Sequence, residues 1–240
     1  MSYSILFTIC ARAGSKGLRE KNIQKLNNRP LVEYTLEAYQ QFLLKYEQEF
    51  SYITLAINTD SEILVEQIKD FGIPCLFTKR KEELAGDVVG KTDVIADTLM
   101  QVEQKKETKY DYVVDLDLTS PIRTEEDIKG VLSLVIENPE CNYAYSVVES
   151  RRNPYFNIVC KGEDGFYRTV IQGNYTCRQQ VPKCYDMNAS IYAMSRALLL
   201  NPKEERKSLI WIMEDMGVLD IDSERDLKLM EIIEKNMPRG

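Results

Sequence analysis

Residues 4–22, SILFTICARAGSKGLREKN, limit the possible folds more than any other stretch. Seven mostly apolar or β-favouring residues, 4–10, run straight into Ala11-Arg12-Ala13-Gly14-Ser15-Lys16-Gly17, and Arg19 and Lys21 follow. A buried strand that ends in a glycine-rich, multiply basic loop is suited to holding phosphates. Glycine lets the backbone approach an anion and expose its N–H groups, while Arg and Lys add charge. Neither G-x-x-x-x-G-K-[ST] nor G-x-G-x-x-G fits the run. The plainer reading is a tight surface turn with solvated Lys and Arg. The phosphate reading is favoured because the loop leaves the first strand of a β-α-β run, where open α/β sheets bind ligands.

The β-α-β pattern is read from the residues that follow. Pro30 opens an amphipathic stretch (Leu31, Tyr34, Leu36, Ala38, Phe42, Leu43) that predicts a helix to about Lys45. Residues 52–57 read as a strand, Thr59 or Asp60 as a helix cap, and Ile63, Leu64 and Ile68 as an apolar helix face closed by Gly72. Residues 73–77 read as a third short strand, giving an open, mostly parallel sheet with right-handed crossovers. A polar segment, 79–91, stands where ligand loops sit. A helix over 92–104, a strand over 110–118 carrying Asp115 and Asp117, a capped helix over 128–136 and a strand over 144–148 continue the pattern. Residues 150–184 change character, with Gly162, Gly165 and Gly173, two prolines and short alternating runs. They are too few for a core of their own, so they read as a hairpin-rich arm inserted in a single domain spanning 1–240. Strands over 186–194 and 209–213 and a helix over 223–235 complete the chain.

Composition sharpens the functional choices. The chain has 31 basic and 38 acidic side chains, a net charge of −7, which disfavours a nucleic-acid partner and makes the cationic N-terminal loop stand out. No apolar run is long enough to span a membrane, so a cytoplasmic location is expected. Six cysteines lack C-x-x-C spacing and there is no histidine, which disfavours zinc and removes the commonest general base; free thiols, mostly core fillers, are expected. Chemistry must therefore rest on carboxylates, Lys, Arg and metal. Asp220 and Asp222 alternate around Ile221, so in extended chain both carboxylates share one face while Leu219 and Ile221 turn inward. Two adjacent carboxylates repel unless a cation lies between them, and oxygen ligation suits Mg²⁺. Alternatively Asp222 caps the last helix, and Asp115/Asp117 form a rival metal pair.

Cys10-Ala11-Arg12-Ala13-Gly14-Ser15-Lys16-Gly17-Leu18 with Lys21-Asn22 resembles the signature of the acylneuraminate cytidylyltransferases, the CMP-sialic acid synthetases. Five further stretches resemble that family's motifs in the family's order: 80–87 (RKEELAGD), Thr119-Ser120-Pro121-Ile122-Arg123, Arg178-Gln179-Gln180-Val181-Pro182, Asn188-Ala189-Ser190-Ile191-Tyr192 and Asp220-Ile221-Asp222. The resemblance spans nearly the whole chain. It implies a Rossmann-like α/β fold of the nucleotide-diphospho-sugar transferase type with a small dimerisation arm at 150–184, hence a homodimer. It also implies that Arg12, Gly14, Ser15, Lys16, Lys21, Asn22, Arg80 and Lys91 hold CTP, and that Asp117, Thr119, Ser120, Arg178, Asn188 and Tyr192 lie on the acidic-sugar side. Asp220 and Asp222 would hold Mg²⁺, with Arg12, Lys16, Lys21 and Asp222 carrying catalysis.

Two departures point within the family. Asp117 stands where sialate enzymes usually present Gln to the sugar, and 151–157 (RRNPYFN) puts an aromatic where those enzymes often carry Lys. With 182–190 (PKCYDMNAS), these features resemble the legionaminate branch. The implied reaction joins CTP and a nine-carbon keto-sugar acid into a CMP-sugar plus pyrophosphate, for a cell-surface glycan or flagellin. Rivals are transfer to pseudaminate or Kdo, a kinase or nucleotide switch (disfavoured by the missing phosphate-loop motif), and a non-catalytic nucleotide-binding module, against which the Asp220/Asp222 pair argues.

Overall fold

The computed structural model describes residues 2–14, 18, 20–86, 89–201, 203–214 and 220–236. Its backbone is a seven-stranded sheet. Strand β1 (Ser4–Cys10) lies between two parallel neighbours, β4 (Tyr52–Thr59) and β6 (Tyr112–Leu116). Being buried on both faces explains its near-continuous apolar run. Ile5, Phe7 and Ile9 join one core layer with α1 (Leu31–Tyr46), α2 (Glu62–Phe71) and α4 (Glu125–Glu137). Leu6 faces the other layer, with Ile95, Leu99 and Val102 of α3 (Lys91–Lys106) and Leu198 and Leu199 of α5 (Arg196–Leu200).

The order across the sheet is β11-β7-β10-β6-β1-β4-β5, with β5 (Leu76–Lys79), β7 (Tyr143–Glu149), β10 (Tyr185–Ser195) and β11 (Ser208–Ile212). Strand β10 alone runs antiparallel, pairing with both β6 and β7. The chain winds outward from β1 through β4 to β5, then returns to the other side of β1 as β6. That reversal opens a crevice beyond the carboxyl ends of β1 and β6, the usual ligand position in such sheets.

Several expectations shift by local chemistry. Ser61, not Thr59 or Asp60, caps α2, its hydroxyl accepting from Leu64 N at 3.3 Å. Asp60 is diverted to the first loop, accepting from Ala13 N at 2.6 Å. The third strand starts at Leu76, beyond Pro74, which has no N–H to give a ladder. Residues 220–222 are not a strand: Ile221 N donates to Thr119 O at 2.9 Å and its side chain is fully buried with Leu18, Leu26, Leu31 and Met230. Leu219 lies outside the described residues. A short hairpin, β2 (Lys25–Leu26) and β3 (Arg29–Pro30), turns through Asn27 and Asn28, both at positive φ (49° and 68°). That two-residue turn is an Asn-favouring one, and Asn27 Nδ2 donates to Glu231 O of α6 (Glu224–Asn236) at 3.2 Å.

Gly72 ends α2 at φ 80°, and Thr124 and Asp127 form the capping box of α4 as their spacing suggests. The segment 150–184 carries one hairpin, β8 (Val159–Lys161) with β9 (Tyr167–Thr169), and leaves Phe166 and Tyr167 largely exposed. All six cysteines are unpaired; only Cys141 is buried and Cys160 is exposed, so they are not mainly core fillers. Among the described residues no helix is long and apolar enough to cross a membrane.

One helix contact sets how α4 lies on the sheet. A Cβ at Gly130 would stand 2.4 Å from the Trp211 indole, whose Nε1 donates to Asp127 at 3.0 Å. Gly130→Ala is therefore expected to cost about 1–3 kcal/mol, as overpacking does. Urea unfolding checks this, and an unchanged midpoint would mean the indole has room to move.

Candidate active site

Three chain segments meet at the crevice: the loop after β1, the end of β6, and the stretch before α6. Beside the first loop lies a cleft of about 400 Å³ lined by Arg12, Ala13, Gly14, Glu20, Asn22 and Asp60. Gly14 (φ 74°) takes the left-handed backbone that glycine allows at no steric cost. Asn22 Nδ2 donates to Arg12 O at 2.9 Å, and Arg12 Nη1 to Ala85 O at 2.9 Å. The loop is thus tied to its own far end and to the segment after β5.

At the tip of β6 a charged cluster replaces the apolar core. Asp115 is fully buried and accepts from the Thr8 hydroxyl of β1 at 2.7 Å. Lys91, the first residue of α3, stands 2.8 Å from Asp115 Oδ2 and 2.6 Å from Asp117 Oδ2. The other Asp117 oxygen accepts from Thr119 N at 3.0 Å and Thr119 Oγ1 at 2.8 Å. Burial alone would raise the Asp117 carboxyl. The charge and hydrogen bonds of Lys91, helped by Thr119, overcome this and hold it well below the usual carboxylate range. Burial would likewise lower Lys91, but Asp115 and Asp117 reverse that and keep it charged. The Tyr192 ring of β10 lies 4.9 Å from the Lys91 ammonium.

The third segment completes the group. Because Ile221 is anchored to Thr119, its neighbours Asp220 and Asp222 stand beside the β6 loop. Lys21 Nζ donates to Asp222 Oδ1 at 2.7 Å. Asp222 does not cap α6; Ser223 does, exchanging hydrogen bonds with Asp226. The Asp220 carboxyl is pushed up, first by burial and then by Asp117 and Asp222, against the pull of Thr119 and Lys21. Its buried Oδ1 has no hydrogen-bond partner among the described residues. Among those residues no three His, Cys, Asp or Glu side chains converge as a ready metal site. The orphaned Asp220 oxygen and its exposed neighbour Asp222 suit a hard cation that also draws oxygens from a bound phosphate and water. The rival pair differs, because Lys91 already stands between Asp115 and Asp117.

Comparisons with known proteins fit this architecture. A family model described as cytidylyltransferase matches residues 6–235. The chain belongs to the cytidylyltransferase family. It is 37% identical over 238 residues to the post-translational flagellin modification protein B of Campylobacter coli, covering 97% of each chain. It is also 37% identical over 232 residues to the CMP-N,N'-diacetyllegionaminic acid synthase of Campylobacter jejuni, covering 95% of this chain and 94% of that one. Among solved structures, a CMP:2-keto-3-deoxy-manno-octonic acid synthetase complexed with CTP superposes with a TM-score of 0.66 at 14% identity, covering 97% and 98% of the two chains. At that identity the likeness shows the fold alone. The chain is thus a nucleotidyltransferase on a mostly parallel α/β scaffold.

The expected site residues take different positions in this enzyme. Arg12, Gly14 and Asn22 line the first cleft; Lys21, Asp220 and Asp222 meet beside Thr119; Asp117, Lys91 and Tyr192 form the adjoining group. Ser15 and Lys16 lie outside the described residues. Arg80 is nearly buried, with Nε donating to Asn58 Oδ1 at 3.0 Å. Lys91, expected on the nucleotide, stands on two carboxylates, Asp115 and Asp117. Ser120 and Asn188, expected on the sugar side, are turned inward: Ser120 Oγ donates to Asn188 O at 2.7 Å, and Asn188 Oδ1 accepts from Ser146 Oγ at 2.7 Å. They brace a bulge in β10 where Ala189 takes a positive φ of 54° and the register with β7 shifts. Arg178 lies on the arm, its Nη2 donating to Arg151 O at 3.3 Å.

Two contributors were given no role by the residue pattern: Thr8, and Arg123, which figured only as the last residue of the Thr119–Arg123 motif. The Arg123 guanidinium is buried against the carbonyls of Asp117, Ser120 and Ser190. Burial pushes it down to about 10 against the pull of Asp117, Asp115 and Asp127. The one available signal was a charge inside an apolar strand, Val113-Val114-Asp115, which demands a partner.

The held-down Asp117 makes a pH prediction. Its folded pKa lies below its unfolded one, so the stabilisation it supplies is present above the ordinary carboxylate value of about 3.9 and lost as pH falls below it. Thermal melts at descending pH should show a steeper acid loss for the native protein than for Asp117→Asn. Equal slopes would mean that Asp117 is not held ionised.

Proposed function

We propose that this enzyme transfers CMP from CTP to the anomeric hydroxyl of a nine-carbon keto-sugar acid of legionaminic type, releasing pyrophosphate. The observation that carries this reading is the 37% identity, along almost the full length of both chains, to a protein named for CMP-N,N'-diacetyllegionaminic acid synthesis. The likeness to a flagellin modification protein supports a role in decorating flagellin or a cell-surface glycan. Both substrates and products are soluble, consistent with a cytoplasmic enzyme.

In this reading Arg12, Lys16, Lys21, Ser15 and the backbone at Gly14 hold the triphosphate, with Asn22 and Arg80 shaping the nucleotide side. The sugar hydroxyl attacks the α-phosphorus in line with the departing pyrophosphate. The P–O bond to the sugar forms as the bond to the β-phosphate breaks, and the hydroxyl proton passes to a carboxylate or water. Catalysis is chiefly positioning and charge neutralisation. Asp220 and Asp222 would hold Mg²⁺, which when bound neutralises phosphate charge. Lys21, already on Asp222, would link that carboxylate to the phosphates. Asp117, Thr119 and Tyr192 would face the sugar, with Ser120 and Asn188 bracing the loop that presents them. Arg178 suits the sugar carboxylate, since a guanidinium fork matches it at two points.

The arm and the sheet edge beside it support a homodimer. Val159, Phe166, Tyr167, Met187 and Ile212 leave apolar surface exposed there, and a second copy of the chain would cover it.

The reading is tested by pyrophosphate release from CTP and Mg²⁺ with legionaminic, sialic, pseudaminic and Kdo acids in parallel. The fastest turnover is expected with a legionaminic acid, and loss of activity with EDTA. A preference for pseudaminic or Kdo acid, or no pyrophosphate with any, would contradict it. Arg12→Ala and Asp222→Asn should each lower kcat/KM on the order of 10³-fold while the protein stays folded. Asp220→Asn should abolish turnover yet raise the Tm of the metal-free protein, because it removes a carboxylate crowded by Asp117 and Asp222. A lowered Tm would refute the claim of crowding.

A further inference from the structure

Lys91 has more charge to answer for than one nucleotide contact would need. Its ammonium is 2.8 Å from Asp115 and 2.6 Å from Asp117. A third side is covered by the Tyr192 ring, 4.9 Å from ring centre to nitrogen, within cation–π range. The Asp115 side chain is fully buried, whereas a third of the Lys91 side chain and a quarter of Asp117 still open onto the crevice (33% and 24% exposed). Moving the ammonium onto a phosphate would strand two carboxylates, one with no access to water. Breaking a buried pair in that way is strongly unfavourable. With Arg123 buried behind Asp117, the charges of the cluster are already balanced, so Lys91 has none to spare for a triphosphate, and Asp117 offers acceptors to neutral donors.

We propose that Lys91 is a positioning residue for the sugar and not a nucleotide ligand. It clamps Asp115 and Asp117 together so that Asp117 and Thr119 present a fixed row of acceptors to the hydroxyl and N-acyl N–H groups of the sugar acid. The Asp117 carboxylate, the one of the two open to the crevice, turns the sugar's own carboxylate away from β6. The clamp reaches further, because Asp117 Oδ1 holds Thr119 at 2.8 Å and Thr119 O holds Ile221 N at 2.9 Å. The acceptor row and the Asp220/Asp222 pair are therefore set by one ammonium. Asp117 and Lys91 then act as a unit: a lone Asp117→Gln leaves Lys91 facing Asp115 and does not recreate a glutamine site. This inference rests on the functional reading above for the identity of the sugar side.

The test is a double-mutant cycle of Lys91→Met, Asp117→Asn and the double variant, with Lys91→Arg as the conservative control. Each is measured for CTP affinity by calorimetry, for Tm, and for steady-state pyrophosphate release with N,N'-diacetyllegionaminic acid. Lys91→Met should raise the sugar KM on the order of 10²-fold through misplacement of the loop, with CTP affinity changed less than about twofold. The double variant should have a higher Tm than Lys91→Met alone, because only Asp115 of the two carboxylates is then left without the ammonium, and Lys91→Arg should restore part of the sugar KM. A large loss of CTP affinity with the sugar KM unmoved would make Lys91 a nucleotide ligand and overturn the proposal. Additive effects in the cycle would overturn the coupling. If Lys91→Met does not fold, Lys91→Arg and the double variant give the same two readouts. If the native enzyme turns over no nonulosonic acid, the functional reading fails on its own. The CTP titrations and the Tm cycle still decide whether Lys91 serves the nucleotide or the carboxylates.

Discussion

The crevice depends on one ammonium placed between two carboxylates at the end of β6. Without Lys91, Asp115 would be an uncompensated charge inside the sheet, a cost that a marginally stable fold can ill sustain. The lysine gets there because it opens α3, whose Ile95, Leu99 and Val102 are packed on Leu6 and Val113. Helix packing thus fixes the charge, and the charge fixes the loop. Thr8 from β1 and Arg123 from beyond the loop finish the network, so its hydrogen-bonding groups come from segments far apart in the chain.

A second balance sits next to the first and is not closed by the protein. Lys21 answers Asp222, but Asp220 keeps a buried oxygen with no hydrogen-bond partner among the described residues and a carboxyl pushed up by its surroundings. Groups arranged against their own stability are characteristic of sites where a ligand completes the structure. The division is chemically sensible. In the proposed reading, the pair held by Lys91 shapes a surface for neutral donors, and Asp220 and Asp222 would hold a cation beside the phosphates.

Much of the scaffold was legible because its signals are local. The apolar run of β1, the 3.6-residue periodicity of α1 and α2, Gly72 and the Thr124–Asp127 capping box each act within a few residues. The misses share a cause, which is competition from distant partners. Asp60 gives up the cap of α2 to bind Ala13 N, and residues 220–222 give up strand geometry to dock on Thr119. At the site, the types were readable and the pairings were not. Asp115, Asp117 and Lys91 could each be suspected of binding something, but only the topology of β6 and α3 shows that they bind one another. The Asn27-Asn28 turn and the Ser61 cap are local signals too, carried by residue types that favour those positions.

The central claim is that the two acidic pairs differ in kind, one closed by Lys91 and one open to a metal. Soaking crystals with CTP and Mn²⁺ and collecting anomalous data tests it most directly. A single strong peak between Asp220, Asp222 and the phosphates, with Lys91 still on Asp115 and Asp117, is the predicted result. A peak between Asp115 and Asp117 with Lys91 displaced onto the nucleotide would contradict the account.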